Sequence, residues 1–210
     1  MDSDRIAILL APFLEPASLS SVQLGAAQIY LDLLLKWNAK MNLTAVRDPE
    51  EIVRRHFGES FFAATQLFPS GSVDQSAIDI GSGAGFPGLP IKIWNPQLRL
   101  TLIESNQRKA TFLREAVRAL TLDDVQVLSS RAETVSSQAE LVTFRAVERF
   151  EQVLVIAGKV AAQSGRIAAL IGESQIELAR SILPEIKWQT PVPIPESRSR
   201  VLLIGQRNRL

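Results

Sequence analysis

The run Ile78-Asp79-Ile80-Gly81-Ser82-Gly83-Ala84-Gly85-Phe86-Pro87-Gly88 constrains this chain more than any other stretch. It opens as a short apolar segment rich in isoleucine, which reads as a buried strand. It closes with four glycines and a proline. Glycine adopts φ > 0 and has no Cβ, so its backbone N–H groups can approach a ligand closely. Pro87 suits the first turn of a helix, where a missing N–H costs little. A strand, a glycine turn and a helix start in this order bind a nucleotide-like cofactor at the carboxyl end of a parallel strand.

The spacing narrows the choice of cofactor. Gly83, Gly85 and Gly88 match the dinucleotide pattern G-x-G-x-x-G formally, but the strand should end at Ile80, which makes Gly81 the first glycine of the turn. Counted from there, with Asp79 in front, the pattern is D-x-G-x-G-x-G. This resembles the first motif of the S-adenosylmethionine-dependent methyltransferases. A second apolar run, Leu100-Thr101-Leu102-Ile103, ends in Glu104. A carboxylate at the end of a second strand can accept from both ribose hydroxyls. A methyltransferase and an NAD enzyme both need it, and it can also serve as the N-terminal acid of the next helix.

The rest of the chain supplies an α/β alternation. Residues 1–70 read as a helical segment. A short helix from Asp4 to Leu14 should be interrupted near Pro12, and Ser18 can cap a second helix reaching about Lys40. Val22, Ala26, Ile29, Leu33 and Trp37 would form the apolar stripe of that second helix. Asp48, Pro49, Glu50 and Glu51 are start signals for a third helix, with stripe Val53, Phe57, Phe61, Ala64 and Phe68. Residues 69–76 are polar, carry Pro and Gly, and read as a linker. Strands are expected at 77–81, 99–104, 124–129, 140–146 and 165–171, and helices at 87–94, 106–120, 131–137, 148–162 and 173–183. Two strand-like stretches, 186–194 and 199–206, end the chain without an intervening helix. Such alternation implies a mostly parallel sheet with helices on both faces and an antiparallel hairpin at one edge. The expected class is a Rossmann-like, S-adenosylmethionine-binding methyltransferase domain over 71–210, preceded by the helical segment 1–70.

Composition excludes several chemistries. The 210 residues contain no cysteine and one histidine. Disulfides, thiolate nucleophiles and multi-histidine metal sites are therefore out, and no metal is expected. Methylation at carbon 5 of a pyrimidine, which usually needs a cysteine nucleophile, is disfavoured. Asp2 and Asp4 before the apolar patch Ile6 to Leu10 are wrong for a secretory signal, and no apolar run is long enough to span a bilayer, so a cytoplasmic protein is expected. Net charge is +1, but basic residues cluster locally. Lys36, Lys40, Arg47, Arg54 and Arg55 form one group; Lys187, Arg198, Arg200, Arg207 and Arg209 form another against Glu196. Such patches can dock a phosphate backbone or simply solvate a surface.

The motifs in order carry a closer resemblance. Lys36-Trp37-Asn38-Ala39-Lys40-Met41-Asn42-Leu43-Thr44 is followed by Asp48-Pro49-Glu50, Arg55-His56 and the run from Asp79 through Pro90. Then come Leu102-Ile103-Glu104-Ser105, Lys109, Phe112-Leu113-Arg114-Glu115 and Arg145-Ala146. Together they resemble the bacterial small-subunit ribosomal RNA guanine methyltransferases of the RsmG (GidB) family, from about residue 28 to 206. The resemblance implies transfer of methyl from S-adenosylmethionine to position 7 of a guanosine in 16S ribosomal RNA, as naked RNA or within the small subunit. Two departures stand out. Phe57-Gly58-Glu59-Ser60 replaces the family's Leu-Leu-Asp-Ser, and Ala139-Glu140 replaces Phe-Asp. A small-molecule methyltransferase of the same fold, or a non-catalytic or NAD-binding Rossmann module, is the alternative.

Residue roles follow from the resemblance. Gly81, Gly83 and Gly85 let the loop approach the methionine end of the cofactor, and Asp79 orients that loop or meets the amino group. Phe86 contacts the cofactor or anchors the loop. Glu104 takes the ribose. Ala132 and Glu133 read the adenine edge, Glu133 being equally readable as a helix-start acid. Arg145, the candidate catalytic residue, meets the cofactor carboxylate, the guanine edge or a phosphate, or forms a structural salt bridge. Asn42, Arg54, Arg55 and His56 border the cleft and touch RNA, and Arg198 and Arg200 contact phosphate. His56 is equally readable as a core-edge histidine. No oligomer is required.

Overall fold

A computed structural model describes residues 1–207; Arg209 of the C-terminal basic group lies outside the described residues. Its centre is a sheet built from β1 (Gln75–Ile80), β2 (Leu98–Ile103), β3 (Val125–Leu128), β4 (Ala139–Arg145), β5 (Ala161–Gly172), β6 (Ile186–Trp188), β7 (Val192–Pro193) and β8 (Arg200–Arg207). The order is β3-β2-β1-β4-β5-β8-β6, with β7 also on β8. β1 to β5 pair in parallel, and β8 runs antiparallel to β5, β6 and β7. β1 thus lies between β2 and β4, where the strand order reverses. That reversal opens a crevice at the carboxyl ends of the strands.

Both faces of the sheet are covered, so its strands are apolar on both sides. Leu100, Leu102, Leu141, Ala168 and Leu170 point into one core, shared with α1 (Ser3–Leu14), α2 (Ser21–Asn38) and α6 (Gln107–Ala119). Ile78, Ile80, Val142, Phe144, Ile167 and Ala169 point into the other, shared with α7 (Phe150–Val160) and α8 (Ile176–Ile182). The N-terminal helices are continuous with the core of the sheet.

Several boundaries differ from expectation for identifiable reasons. α1 runs through Pro12, which sits in its last turn. α2 is capped by Ser20 and not Ser18, because Ser20 and Gln23 bond each other's backbone N–H reciprocally. Its expected stripe holds in part: Leu33 is buried and Ala26 and Trp37 pack against the core, but Val22 is 80% exposed and Ile29 49%, and Ala27, Tyr30, Leu31 and Leu34 complete the buried face. The helix is apolar on more than one side, and packing selects the face that carries Tyr30. The third helix starts as expected, with the Asp48 side chain accepting from the Glu51 N–H. It comprises α3 (Pro49–Ile52), a π-helical segment (Val53–Gly58) and α4 (Glu59–Leu67), and all five residues of its expected stripe are buried. β1 begins at Gln75, inside the expected linker, whose Val73 is pinned through both backbone groups by the Asn95 amide. The expected helix 131–137 shrinks to one 3₁₀ turn, Ala132–Thr134. The stretch 186–194 splits into β6 and β7 beside Pro191 and Pro193, which lack the N–H a ladder needs. The terminal pair is therefore three strands, with β8 between β5 and β6.

One contact joins the helical segment to the glycine turn. The buried Tyr30 hydroxyl donates to the Ala84 carbonyl, and the Tyr30 ring stacks on Phe86 at 5.1 Å. Gly85 has φ +91°, and a Cβ there would overlap the Tyr30 hydroxyl and Leu89. Tyr30→Phe should therefore lower unfolding stability by about 1–3 kcal/mol, the cost of leaving a buried carbonyl unpaired. Chemical denaturation measures this, and an unchanged midpoint and slope would contradict it.

Candidate active site

A cleft of about 690 Å³ opens at the carboxyl ends of β1, β2 and β4. That size suits a small-molecule cofactor. Gly81, Gly83, Phe86, Glu104, Ala132, Glu133, His56 and Arg145 line it together. They come from three loops, the π-helical segment and a strand end, and the fold assembles them.

The floor is the glycine turn. Gly81 and Gly83 have φ +67° and +56°, a region that disfavours side chains. A Cβ on Gly83 would meet nothing nearer than the Gly81 carbonyl oxygen at 3.8 Å, so this backbone faces open space. Asp79 and Gly85 stand behind the wall. The fully buried Asp79 carboxylate accepts from the Thr143 hydroxyl on β4 at 2.8 Å and from the Gly88 N–H at 3.3 Å. It braces the turn against β4 and α5 (Gly88–Trp94), both its oxygens being engaged within the protein. Burial, opposed by those hydrogen bonds, raises its pKa to about 7.

Glu104 closes one side. Its Oε2 accepts from the Gly83 N–H at 2.9 Å and its Oε1 from the Asn106 N–H at 2.7 Å. Each oxygen keeps a lone pair for a ligand hydroxyl. Phe86 both lines the cleft and anchors its wall, within an aromatic group of Tyr30, His56 and Phe57 at 5.0–5.2 Å.

The opposite wall is an ion network around Glu59, 1% exposed. Arg145 approaches its Oε2 through Nη2 at 2.9 Å, and Arg200 on β8 approaches its Oε1 at 2.6 Å. Arg145 also donates from Nη1 to His56 Nδ1 at 3.0 Å and from Nη2 to the Arg55 carbonyl at 2.8 Å. The π-helical segment makes the last bond available: the Glu59 N–H bonds the His56 carbonyl, not the Arg55 carbonyl that an α-turn would use. Such irregular turns recur at functional sites. Burial first, then Arg145, Arg55 and Arg200, lowers the His56 pKa to about 3, so its imidazole is neutral.

The expected RNA-facing residues are dispersed. Arg54 pairs with Glu196 at 2.9 Å and Arg55 with Glu51 at 3.2 Å. The Asn42 side chain accepts from Arg47. None of these, nor Arg198 or Arg200, lines the cleft, whereas Lys109, Arg131 and Arg149 do, and among the described residues no ion pair engages these three. Sequence reasoning noted Lys109 within the motifs but gave it no role, and passed over Arg131 and Arg149 because an isolated exposed cation carries no local signal. It also left Thr44 without a role. The Asn38 side chain fixes the loop bearing Thr44, accepting from the Leu43 and Thr44 N–H groups at 2.9 and 3.0 Å.

The neutral imidazole gives a pH signature. Unfolded, His56 gains a proton below pH about 6.5; folded, it stays neutral down to about 3. Its contribution to stability is therefore complete above about 6.5 and lost as pH falls through that window. The stability deficit of His56→Gln relative to wild type should shrink between pH 7.5 and 5, by up to about 1.4 kcal/mol per pH unit. Denaturation at stepped pH reads it; a deficit that grows on acidification would contradict the neutral assignment.

Known proteins place this geometry. A family model described as "rRNA small subunit methyltransferase G" matches residues 23–185. A "Ribosomal RNA small subunit methyltransferase G" from Roseiflexus sp. (strain RS-1) is 40% identical over 184 residues, covering 81% of this chain and 77% of its own length. The Chloroflexus aggregans protein of that name is 40% identical over 201 residues, covering 89% and 82%. Among solved structures, P. horikoshii TYW2 in complex with MeSAdo superposes with a TM-score of 0.59 at 16% identity over 72% of this chain, which spans 62% of that chain, less than two thirds. A SAM dependent methyltransferase from Aquifex aeolicus gives 0.59 at 17% identity over 76% of this chain and 93% of its own. At such identities the structures establish the fold, that of the class I S-adenosylmethionine-dependent methyltransferases. The family match extends over most of the sequence, and the chain belongs to the rRNA small subunit methyltransferase G family.

Proposed function

We propose that this protein methylates the N7 atom of a specific guanosine in 16S ribosomal RNA, with S-adenosylmethionine as donor. Family membership carries the reading. The observation in this molecule that supports it is a glycine turn and a carboxylate meeting in one cleft, facing a wall that holds no free base. When bound, S-adenosylmethionine supplies a methyl group on a sulfonium centre.

The residues fit that donor. Gly81 and Gly83 offer backbone without side chains, Glu104 has a lone pair left on each oxygen for the ribose, and Ala132 and Glu133 stand on the far rim for the adenine. The loop is preorganised by Asp79, which acts through Thr143 and Gly88 and does not face the ligand.

Position 7 of guanine carries a lone pair and no proton. Methylation there needs placement, not a general base. His56 matches that requirement: with its pKa near 3 and Nδ1 occupied by Arg145, it is too weak and too constrained to abstract a proton. Arg145 would be repelled by a sulfonium centre if it stood unpaired. Glu59, shared with Arg200, offsets part of its charge, and Arg145 spends its donors on Glu59, His56 and the Arg55 carbonyl, so it shapes the wall as a positioning residue. Phosphate contacts fall to Lys109, Arg131 and Arg149 at the cleft and to the exposed Arg198. The helical segment 1–70 and the sheet domain 71–210 act together, since Tyr30 and His56 come from the first and the glycine turn from the second. We read the enzyme as a cytoplasmic monomer whose cleft is complete within one chain; among the described residues, no helix is long and apolar enough to cross a membrane.

Mass mapping of modified guanosines in small-subunit RNA, treated with the purified protein and S-adenosylmethionine, should show one new 7-methylguanosine. Transfer to a metabolite with none to RNA would contradict the reading. Glu104→Gln should weaken S-adenosylmethionine by about tenfold or more in a calorimetric titration, since a tenfold change is about 1.4 kcal/mol; unchanged affinity would remove Glu104 from the ribose site. RNA affinity should fall steeply with added salt, and Lys109→Ala, Arg131→Ala and Arg149→Ala should each flatten that slope by roughly one counterion.

A further inference from the structure

Thr44 lines the cleft beside His56 and Phe86, and its hydrogen bonds leave it a single option. A guanidinium has no acceptor, so the 3.0 Å contact between Arg145 Nη1 and His56 Nδ1 requires Nδ1 to be unprotonated. The neutral ring then carries its proton on Nε2, which lies 2.7 Å from Thr44 Oγ1 and donates to it. The Val46 N–H also donates to Thr44 Oγ1, at 3.1 Å. A hydroxyl oxygen has two lone pairs, and both are used. What remains is the O–H proton. An ordinary threonine hydroxyl can rotate to donate or accept; this one can only donate.

Guanine and adenine differ at this point. Beside N7, guanine presents the O6 acceptor and adenine the N6 amino donor. N7 itself must keep its lone pair free for the methyl group, so protein donors on that edge belong on O6. We propose that the Thr44 hydroxyl donates to O6 of the target guanine and is a specificity determinant of the enzyme, held as a donor by the Arg145–His56 relay and placed by Asn38. Adenine in the same position would set its amino group against a hydroxyl with no lone pair left. A site built to hydrogen-bond its substrate rejects the analogue that cannot reciprocate far more strongly than an apolar pocket does. The assignment rests on the proposed ribosomal RNA activity and deepens it.

The test is a cycle between protein and base. Small-subunit RNA carrying guanosine, or 2-aminopurine in its place, is methylated by wild type, Thr44→Val and Thr44→Ser; 2-aminopurine keeps N7 and lacks O6. Wild type should lose about 30-fold or more in kcat/KM on the change of base, and Thr44→Val should lose a similar factor on guanosine but less than about 3-fold on 2-aminopurine. Thr44→Ser, which keeps the hydroxyl, should stay within about 3-fold on guanosine, and the Kd for S-adenosylmethionine should change by less than about 3-fold throughout. If Thr44→Val lowers both substrates equally, the hydroxyl only holds its loop; if it weakens the donor in proportion, the hydroxyl serves the cofactor. Either result overturns the proposal. Should Thr44→Val fail to fold, equal wild-type rates on the two bases, or a loss in Thr44→Ser as large as the change of base, overturns it instead. Absence of any wild-type transfer to RNA overturns the underlying activity and this assignment with it, whereas transfer without coupling overturns this assignment alone.

Discussion

Everything at the cleft depends on one buried carboxylate. Asp79 sits at the end of β1 with no exposed surface and joins β4, through the Thr143 hydroxyl, to the N–H of Gly88 at the start of α5. Burial makes its charge costly, which is why its pKa rises toward 7. That cost is tolerated because the bonds fix the glycine turn from behind. A Cβ on Gly88 would meet the Asp79 carboxylate at 2.9 Å, so brace and turn are shaped to each other. The side that faces the cleft stays bare backbone.

The second constraint is electrostatic and comes from the other half of the chain. The buried Glu59 holds both Arg145 of β4 and the partly exposed Arg200 of β8. Breaking such a pair by removing one partner costs about 3–5 kcal/mol, because the other charge is left stranded. The network thus ties the N-terminal helices to two strands and fixes the imidazole of His56. Of the readings open for Arg145, which were cofactor carboxylate, guanine edge, phosphate or structural salt bridge, the structure shows the last, with its donors on Glu59, His56 and the Arg55 carbonyl. In the proposed assignment its effect on the substrate passes through His56 and Thr44.

The sequence made the central strands legible, because apolar runs closed by Asp79 and Glu104 and the glycine spacing carry local signals. β1, β2 and the turn lie where those signals put them, with β1 extended two residues into the expected linker. The less legible features depend on packing. Which face of α2 is buried is decided by Tyr30 reaching Ala84, a partner 54 residues away. The prolines around β7 marked a break, yet the pairing of β6 and β7 with β8 is settled only by the closed sheet. Glu59 and Arg200, 141 positions apart, have no local pattern that joins them, and the π-helical segment that frees the Arg55 carbonyl has no sequence signature. Thr44 was visible within Asn42-Leu43-Thr44, but its donor-only state follows from three bonds that no spacing announces.

The central claim is that the bare glycine turn and Glu104 hold the methyl donor against the wall formed by Thr44, His56 and the Glu59 network. A crystal structure with S-adenosylhomocysteine tests it most directly. The account predicts ribose hydroxyls on Glu104, the amino-acid end over Gly81 and Gly83, and the sulfur directed toward that wall. A ligand bound elsewhere, or reversed so that its adenine lies over the glycine turn, would contradict it.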